Sequence, residues 1–278
     1  MSVEYSNMNC KTTLSPSKLP GLRYSLNPYL GCEHGCVYCY SPSTLRDEWM
    51  GLNWGKFVRA KQNIVEVLAR EVKRKTNGTV GVSTVCDPYQ PLEAKLELTR
   101  KCIELLSRHG FPVSIQTKSS LVLRDVDLIV PEKFDVGVTI TTMDRKLASK
   151  IEPRASPPEA RAQTLGEFSS RGVETWLFLG PIIPELNNSE DSLRQVIEVA
   201  HRTRSKLIYD RLNLRRWVLD RLTPVLKEES PELARQLPDL IREQSESWRK
   251  VCSKVESICR ELGVRYEPAF RAHPFTNK

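Results

Sequence analysis

The stretch TVGVSTVCDPYQPLEAKLELTRKCIELLSRHGFPVSIQT, residues 79–117, contains one complete structural unit. Its first seven residues are short, β-branched and apolar, which predicts a strand buried on both faces. A helical period then runs over about 94–108, and PVSIQT (112–117) returns to strand character. Strands joined through a helix run parallel, since a tight hairpin joins only antiparallel neighbours. The alternation extends in both directions. Upstream, GLRYSLNPYL (21–30) reads as a strand ending in a turn, and 56–75 as a helix with Phe57, Ile64, Leu68 and Val72 on one face. Downstream come a helical stretch (120–129), the strand DVGVTITT (135–142), a helix near 157–171, the strand VETWLFLG (173–180), a helix (189–204) and the strand KLIYDRLNL (206–214). Six strands alternating with helices predict an α/β fold around a parallel sheet; an open doubly wound sheet and a partial barrel both satisfy the pattern. Beyond about Arg215 the periodicity is helical, with Trp248, Val251, Cys252, Val255, Cys259 and Leu262 spaced by three, four and seven. The expected organisation is an N-terminal extension (1–20), an α/β core (21–213) and a C-terminal helical cap (214–278).

Of the 278 residues, 40% are hydrophobic and 27% charged, which excludes disordered and collagen-like chains. No run approaches the roughly eighteen apolar residues of a bilayer span. The N-terminal MSVEYSNMNCKTTLSPSKLPG lacks the charged start, apolar stretch and small-residue cleavage site of a secretory signal, so a cytoplasmic, reducing location and no membrane partner are expected. Lys and Arg outnumber Asp and Glu by 42 to 34, a net +8 that suits a polyanionic partner such as nucleic acid, or simple basic solubility. In a reducing compartment, eight cysteines serve metal ligation, redox work or packing.

Their spacing is informative. LNPYLGCEHGCVYCYSP (26–42) places Cys32, Cys36 and Cys39 in a C-x3-C-x2-C loop directly after the first strand, with Gly31 and Gly35 supplying backbone freedom. Three thiolates within eight residues can converge on one inorganic centre. A four-iron cluster takes four cysteines when fully ligated, so three leave one iron open. The alternative is a zinc site whose fourth ligand is His34 or a distant cysteine. A disulfide is disfavoured by compartment and by the odd count.

With Tyr38 standing before the last cysteine, this loop resembles the defining motif of the radical SAM enzymes. The segments STVCDPYQPLE, QTKSS, VTITT, EPRASPPEAR, GPIIPELNNSE and DRLNL extend the resemblance towards the branch related to spore photoproduct lyase, over about residues 24–213. The resemblance implies a partial (β/α)6 TIM-type barrel with a C-terminal helical extension. It also implies a 4Fe-4S cluster on Cys32, Cys36 and Cys39, and S-adenosylmethionine chelated at the open iron and cleaved reductively to a 5′-deoxyadenosyl radical. An external electron donor such as flavodoxin or ferredoxin follows as a partner.

In such barrels the working groups sit at the C-terminal strand ends. After the second strand, Ser83 and Asp87 are assigned to the amino end of the cofactor, with Asp87 as a helix cap the alternative. Lys118 and Ser119 follow the third strand, where a cation would pair with the cofactor carboxylate. Thr139, Thr141 and Thr142 end the fourth and suit a ribose. Arg154, beside Glu152, is expected to hold a carboxylate or phosphate. Asn188 with Asp191 looks like a helix-start box, giving the loop of Pro181, Pro184 and Asn187 a structural role. Arg202, Arg204, Lys206, Arg211, Arg215, Arg216 and Arg221 form the densest basic region, suited to phosphate contacts. Cys102, Cys252 and Cys259 fall on apolar helical stripes and are read as core. Cys86 differs: at the end of the second strand, its thiol is a candidate hydrogen-atom donor, as are Tyr89 and Tyr40. The leading expectation is a radical SAM enzyme acting on a DNA photoproduct, with DNA favoured over RNA. Radical modification of RNA, protein or a small molecule is the alternative, and a zinc-stabilised nucleic-acid-binding module the third.

Overall fold

The computed structural model describes residues 2–45, 47–229, 231–240 and 246–269; of the expected cap, 230, 241–245 and 270–278 lie outside the described residues. Seven parallel strands form the main sheet: β1 (Tyr24–Leu26), β2 (Val80–Val82), β3 (Val113–Thr117), β4 (Phe134–Thr139), β5 (Glu174–Ile182), β6 (Lys206–Arg211) and β7 (Tyr266–Pro268). Ser15–Pro16 adds an antiparallel edge beside β1. Spatial order follows chain order throughout. Every crossover therefore steps in the same direction, and with right-handed crossovers the helices all lie on one face. A doubly wound sheet would reverse its order partway. The fold is thus an α/β partial barrel, left open between the β1 and β7 edges.

The helices α1 (Ile64–Glu71), α2 (Leu98–Arg108), α3 (Pro158–Ser170), α4 (Glu190–Arg202) and α5 (Glu246–Leu262) supply the outer layer. Strand alternation divides the two faces. Val113 and Ile115, Val136 and Val138, Leu177 and Leu179 are buried in the main core. Between them, Ser114, Gln116, Asp135, Trp176 and Phe178 turn onto the concave face and line a cavity.

Several local expectations change. The helix expected over 56–75 begins only at Ile64; Phe57–Lys61 is instead a strand, parallel to Glu4–Met8 and antiparallel to Tyr29–Leu30. Phe57 is buried there against Cys32 rather than on a helical face. The strand's register partners are 53 residues away in Glu4–Met8 and 29 to 31 away in Tyr29–Leu30, so no local period signals the pairing. The stretch 120–129 makes only a 3-10 turn, Ser120–Asp125. Ser189, not Asn188, caps α4, accepting from Ser192 N, while Asn188 accepts from Glu185 N. The C-terminal region is not purely helical, because it returns β7 to the sheet. Its helices Val218–Glu229 and Pro231–Leu240 form a second core, in which Val218, Leu222 and Leu226 pack with Cys36 and Tyr38.

Candidate active site

The cysteine loop begins where the chain leaves β1. Gly31 turns it at φ +90°, and a Cβ here would lie 2.5 Å from Phe57 O, so only glycine fits. Cys32 and Cys36 are buried and Cys39 half-buried, all three lining one cavity of about 750 Å³. That volume suits a cofactor and a small substrate group together. Among the described residues, no three His, Cys, Asp or Glu side chains are gathered tightly enough for a single metal ion. The three thiols line the same cavity.

Most of the polar residues near the loop hold its backbone. Gln90 Oε1 accepts from Glu33 N at 2.8 Å and its amide donates to Gly31 O at 3.4 Å. Arg154 Nη1 donates to Glu33 O at 3.2 Å and to Gly55 O at 2.8 Å. From the C-terminal extension, Arg221 donates to Val37 O (3.4 Å), Gly51 O (3.2 Å) and Cys39 O. Asp87 N donates to Cys32 Sγ at 3.4 Å. Its carboxylate accepts from Tyr89 N (2.9 Å), Thr117 Oγ1 (2.7 Å) and Lys118 N (2.7 Å), and His34 Nδ1 lies 3.4 Å from Oδ2. Burial would push this acid up, but His34, Thr117 and Lys118 outweigh it and hold it at about 2. Asp87 is a permanently charged knot between β2, β3 and the cysteine loop.

Several assignments are corrected accordingly. Asp87 lines the cavity, but three of its acceptor positions are taken by Tyr89 N, Thr117 Oγ1 and Lys118 N. Arg154 grips the cysteine loop instead of a substrate. Tyr89 is fully buried outside the cavity lining, its hydroxyl turned towards Asp125, so it is not placed to donate hydrogen. Ser119 caps the 3-10 turn, accepting from Leu121 N, and does not line the cavity. Thr141 belongs to a buried polar cluster, donating to Glu152 Oε1 at 2.8 Å. The basic run divides: Arg202 and Arg204 precede β6 at one end of the barrel, while Arg215 and Arg216 follow it at the other. Lys206 pairs with Glu267, Arg216 with Glu48, and Arg221 is inside, so no single basic surface results. Cys102 and Cys259 are buried as expected of core residues, and the half-buried Cys252 packs against the same core.

Other assignments converge on the cavity. Tyr38 lines it with its ring while its hydroxyl donates to Glu152. Lys118 Nζ lies 5.8 Å from that ring. Burial disfavours its charge, but Cys36, Glu152 and Asp87 together keep its pKa raised, leaving an ammonium beside the thiols. Ser83 Oγ is buried in the lining beside the Cys86 thiol. Cys86 also lines the cavity, its thiol donating to Tyr29 O at 3.5 Å; burial pushes it up to about 11, so it stays protonated at neutral pH. Burial likewise pushes Cys36 up to about 12, partly offset by Lys118. Such thiols ionise when metal displaces their protons.

In this partial barrel the three thiols of the loop, the Lys118 ammonium and the Ser83 hydroxyl thus line one cavity. Residues 26–197 match the family model of the radical SAM superfamily, and the chain belongs to that superfamily. An uncharacterised protein of Methanocaldococcus jannaschii is 33% identical over 192 residues, 68% of this chain and 71% of that protein. One of Mycobacterium tuberculosis is 30% identical over 210 residues; this chain spans 61% of its length and the match covers 70% of this chain. Spore photoproduct lyase complexed with dinucleoside spore photoproduct shares the fold at TM-score 0.72 and 13% identity, over 96% of this chain and 82% of that one. A radical SAM methyltransferase from Sphaerobacter thermophilus shares it at TM-score 0.56 and 15% identity, over 88% and 65%. A radical SAM Nalpha-GlyT isomerase of Pseudomonas phage M6 is 22% identical over 174 residues, 62% of this chain and 35% of that protein.

The cofactors of the family are a 4Fe-4S cluster and S-adenosylmethionine, which together supply a carbon-centred radical in place of any protein nucleophile. Cys32, Cys36 and Cys39 would hold the first. Lys118 would meet the carboxylate of the second, and Ser83 Oγ offers the polar contact its amino group needs. Sequence reasoning did not give Gln90 and Arg221 their role of holding the cysteine loop. Neither carries a local signal, since both act on carbonyls across the molecule. Among the described residues no helix is long and apolar enough to cross a membrane.

Proposed function

We propose that this radical SAM enzyme abstracts hydrogen from a nucleobase in DNA and restores it after rearrangement, a lyase-type repair of a photoproduct, drawing its electron from a small external carrier protein. The observation that carries the reading is the placement of Cys86 in the same cavity as the cluster cysteines. A protonated thiol is a good hydrogen-atom donor. Positioned there, Cys86 gives a hydrogen atom to the product radical, and the thiyl radical left on it is restored to the thiol by an electron from the external carrier and a proton from solvent, so that the substrate reaction needs no oxidant. The likeness in fold to spore photoproduct lyase supports the substrate class.

The test is ultraviolet-irradiated DNA incubated anaerobically with reconstituted enzyme, S-adenosylmethionine and reductant. Time-dependent loss of pyrimidine photoproducts is expected. Cys86→Ala should still cleave S-adenosylmethionine but return few intact thymines. Undiminished photoproduct alongside active cofactor cleavage would remove the repair reading. The similarity to an isomerase favours a second reading, rearrangement within one modified base, which the same incubations would reveal as a new nucleoside of unchanged mass.

A further inference from the structure

The cavity does not end at the cysteine loop. It continues down the concave face of the sheet to the first residues of β3, β4 and β5, where Ser114, Asp135 and Trp176 line it. Ser114 and Asp135 are register partners on β3 and β4, and Gly137 and Trp176 on β4 and β5. Ser114 Oγ donates to Asp135 Oδ1 at 2.6 Å, and Trp176 Nε1 donates to the same oxygen at 2.7 Å. The indole reaches it by lying flat across Gly137: a Cβ there would sit 2.2 Å from the ring. Phe178, two residues further up β5, covers Gly180 in the same way, nearer the mouth of the cavity.

The carboxylate is therefore held by one oxygen. Among the described residues its other oxygen, Oδ2, receives no hydrogen bond, although the residue faces the cavity. Holding an acid still with two neutral donors, and leaving one acceptor free beside an indole face, is a preorganised recognition site for a planar group that carries an N–H. A phosphate or carboxylate would be repelled, and an aliphatic chain would strand the acceptor.

We propose that the base of this cavity is a specificity subsite for a pyrimidine imide, in which Asp135 Oδ2 accepts the ring N–H while the exposed face of the Trp176 indole packs on the ring. The assignment rests on the nucleic-acid reading above and narrows it to thymine- or uracil-type bases, since an unmodified cytosine ring has no N–H at the equivalent position. Asp135 is a recognition residue and takes no part in forming the radical.

The experiment measures binding of the dinucleotide thymidylyl-thymidine and of its N3-methylated analogue to the full-length, cluster-reconstituted, S-adenosylmethionine-bound enzyme by isothermal titration calorimetry. The wild-type enzyme should prefer the unmethylated dinucleotide by at least about tenfold, the size of one hydrogen bond to a charged acceptor. Asp135→Asn, which keeps an oxygen for Ser114 and Trp176, should lose that preference while binding S-adenosylmethionine as before; Asp135→Ser provides a second variant with the same readout. Equal wild-type affinity for both dinucleotides overturns the subsite and leaves the nucleic-acid reading standing. A preference that survives in both variants also overturns it. Failure to bind either dinucleotide, with S-adenosylmethionine bound normally, overturns the nucleic-acid reading and the subsite together.

Discussion

Replacing Glu152 by alanine should destabilise the barrel more than any single change on its surface. Glu152 and Arg161 form an ion pair with both side chains 1% exposed. Arg161 directs its remaining donors to Ser156 O at 2.6 Å and Thr139 O at 3.0 Å, so it has no route to water. Burial opposes both charges, yet the pairing prevails: Glu152 is held below the usual carboxylate range, chiefly by Arg161 and Lys118, and Arg161 is raised by Glu152. Removing the carboxylate strands a guanidinium in the interior, at a cost of about 3–5 kcal/mol. It also leaves Tyr38, beside Cys36, without its acceptor. For a domain of this size that corresponds to a fall in Tm of roughly 6–10 °C. Circular dichroism melts of the anaerobic apoprotein measure it. The double variant Glu152→Leu/Arg161→Met removes both charges and should recover at least about half the loss, because apolar replacement of a buried pair is often close to neutral. A depressed carboxylate contributes stability above its unfolded pKa and loses it as pH falls through the folded one, so the gap between wild type and double variant should change in acid. A single variant within about 1 kcal/mol of wild type, or a double variant no better than the single, would refute the reasoning.

Any one of Cys32→Ala, Cys36→Ala or Cys39→Ala should abolish the brown iron–sulfur absorbance after anaerobic reconstitution while the far-ultraviolet spectrum is retained; a variant that still holds a full cluster would contradict the ligand set. Arg221→Gln removes the grip on three carbonyls of the cysteine-loop region and should cost about 1–3 kcal/mol in denaturant unfolding and slow cluster uptake; unchanged values in both assays would show that the loop holds itself. Gly31→Ala forces a Cβ towards Phe57 O at φ +90° and should cost about 1–3 kcal/mol or more, read in the same unfolding assay. Glu71 accepts from Thr12, Thr13 and Leu14; these hydrogen bonds overcome burial and hold it at about 2. The anchorage of the 12–14 segment should therefore be intact above about pH 4.5 and be lost as pH falls towards 2, followed by hydrogen exchange at Leu14.

How far each of these features was legible depends on the distance over which it acts. The β2–α2–β3 unit was readable because strand and helix periods are local, and the cysteine triad because three ligands within eight residues advertise themselves. The inner and outer faces of β3 and β4 were readable in principle from Val113, Ile115, Val136 and Val138 alternating with polar residues, but a strand does not announce which face is concave. Phe57 misled for a related reason: apolar spacing through 56–75 fits a helix until Glu4–Met8 and Tyr29–Leu30 claim its first residues as sheet.

The amino-acid sequence by itself determined the α/β class, the parallel strands and the three thiols at the first strand end, since each follows from neighbours in the chain. Only the tertiary structure decided that the sheet winds one way into an open barrel, because that is a matter of which strands pair. It alone separated the residues that meet the cavity, such as Lys118, Ser83 and Cys86, from those that hold the loop. Arg221 reaches a carbonyl 184 positions earlier and Arg154 one 121 positions earlier, so their roles exist only once the chain has folded. Polar side chains at a barrel mouth look alike in a string of letters; what distinguishes them is whether the protein has already used their hydrogen-bonding capacity.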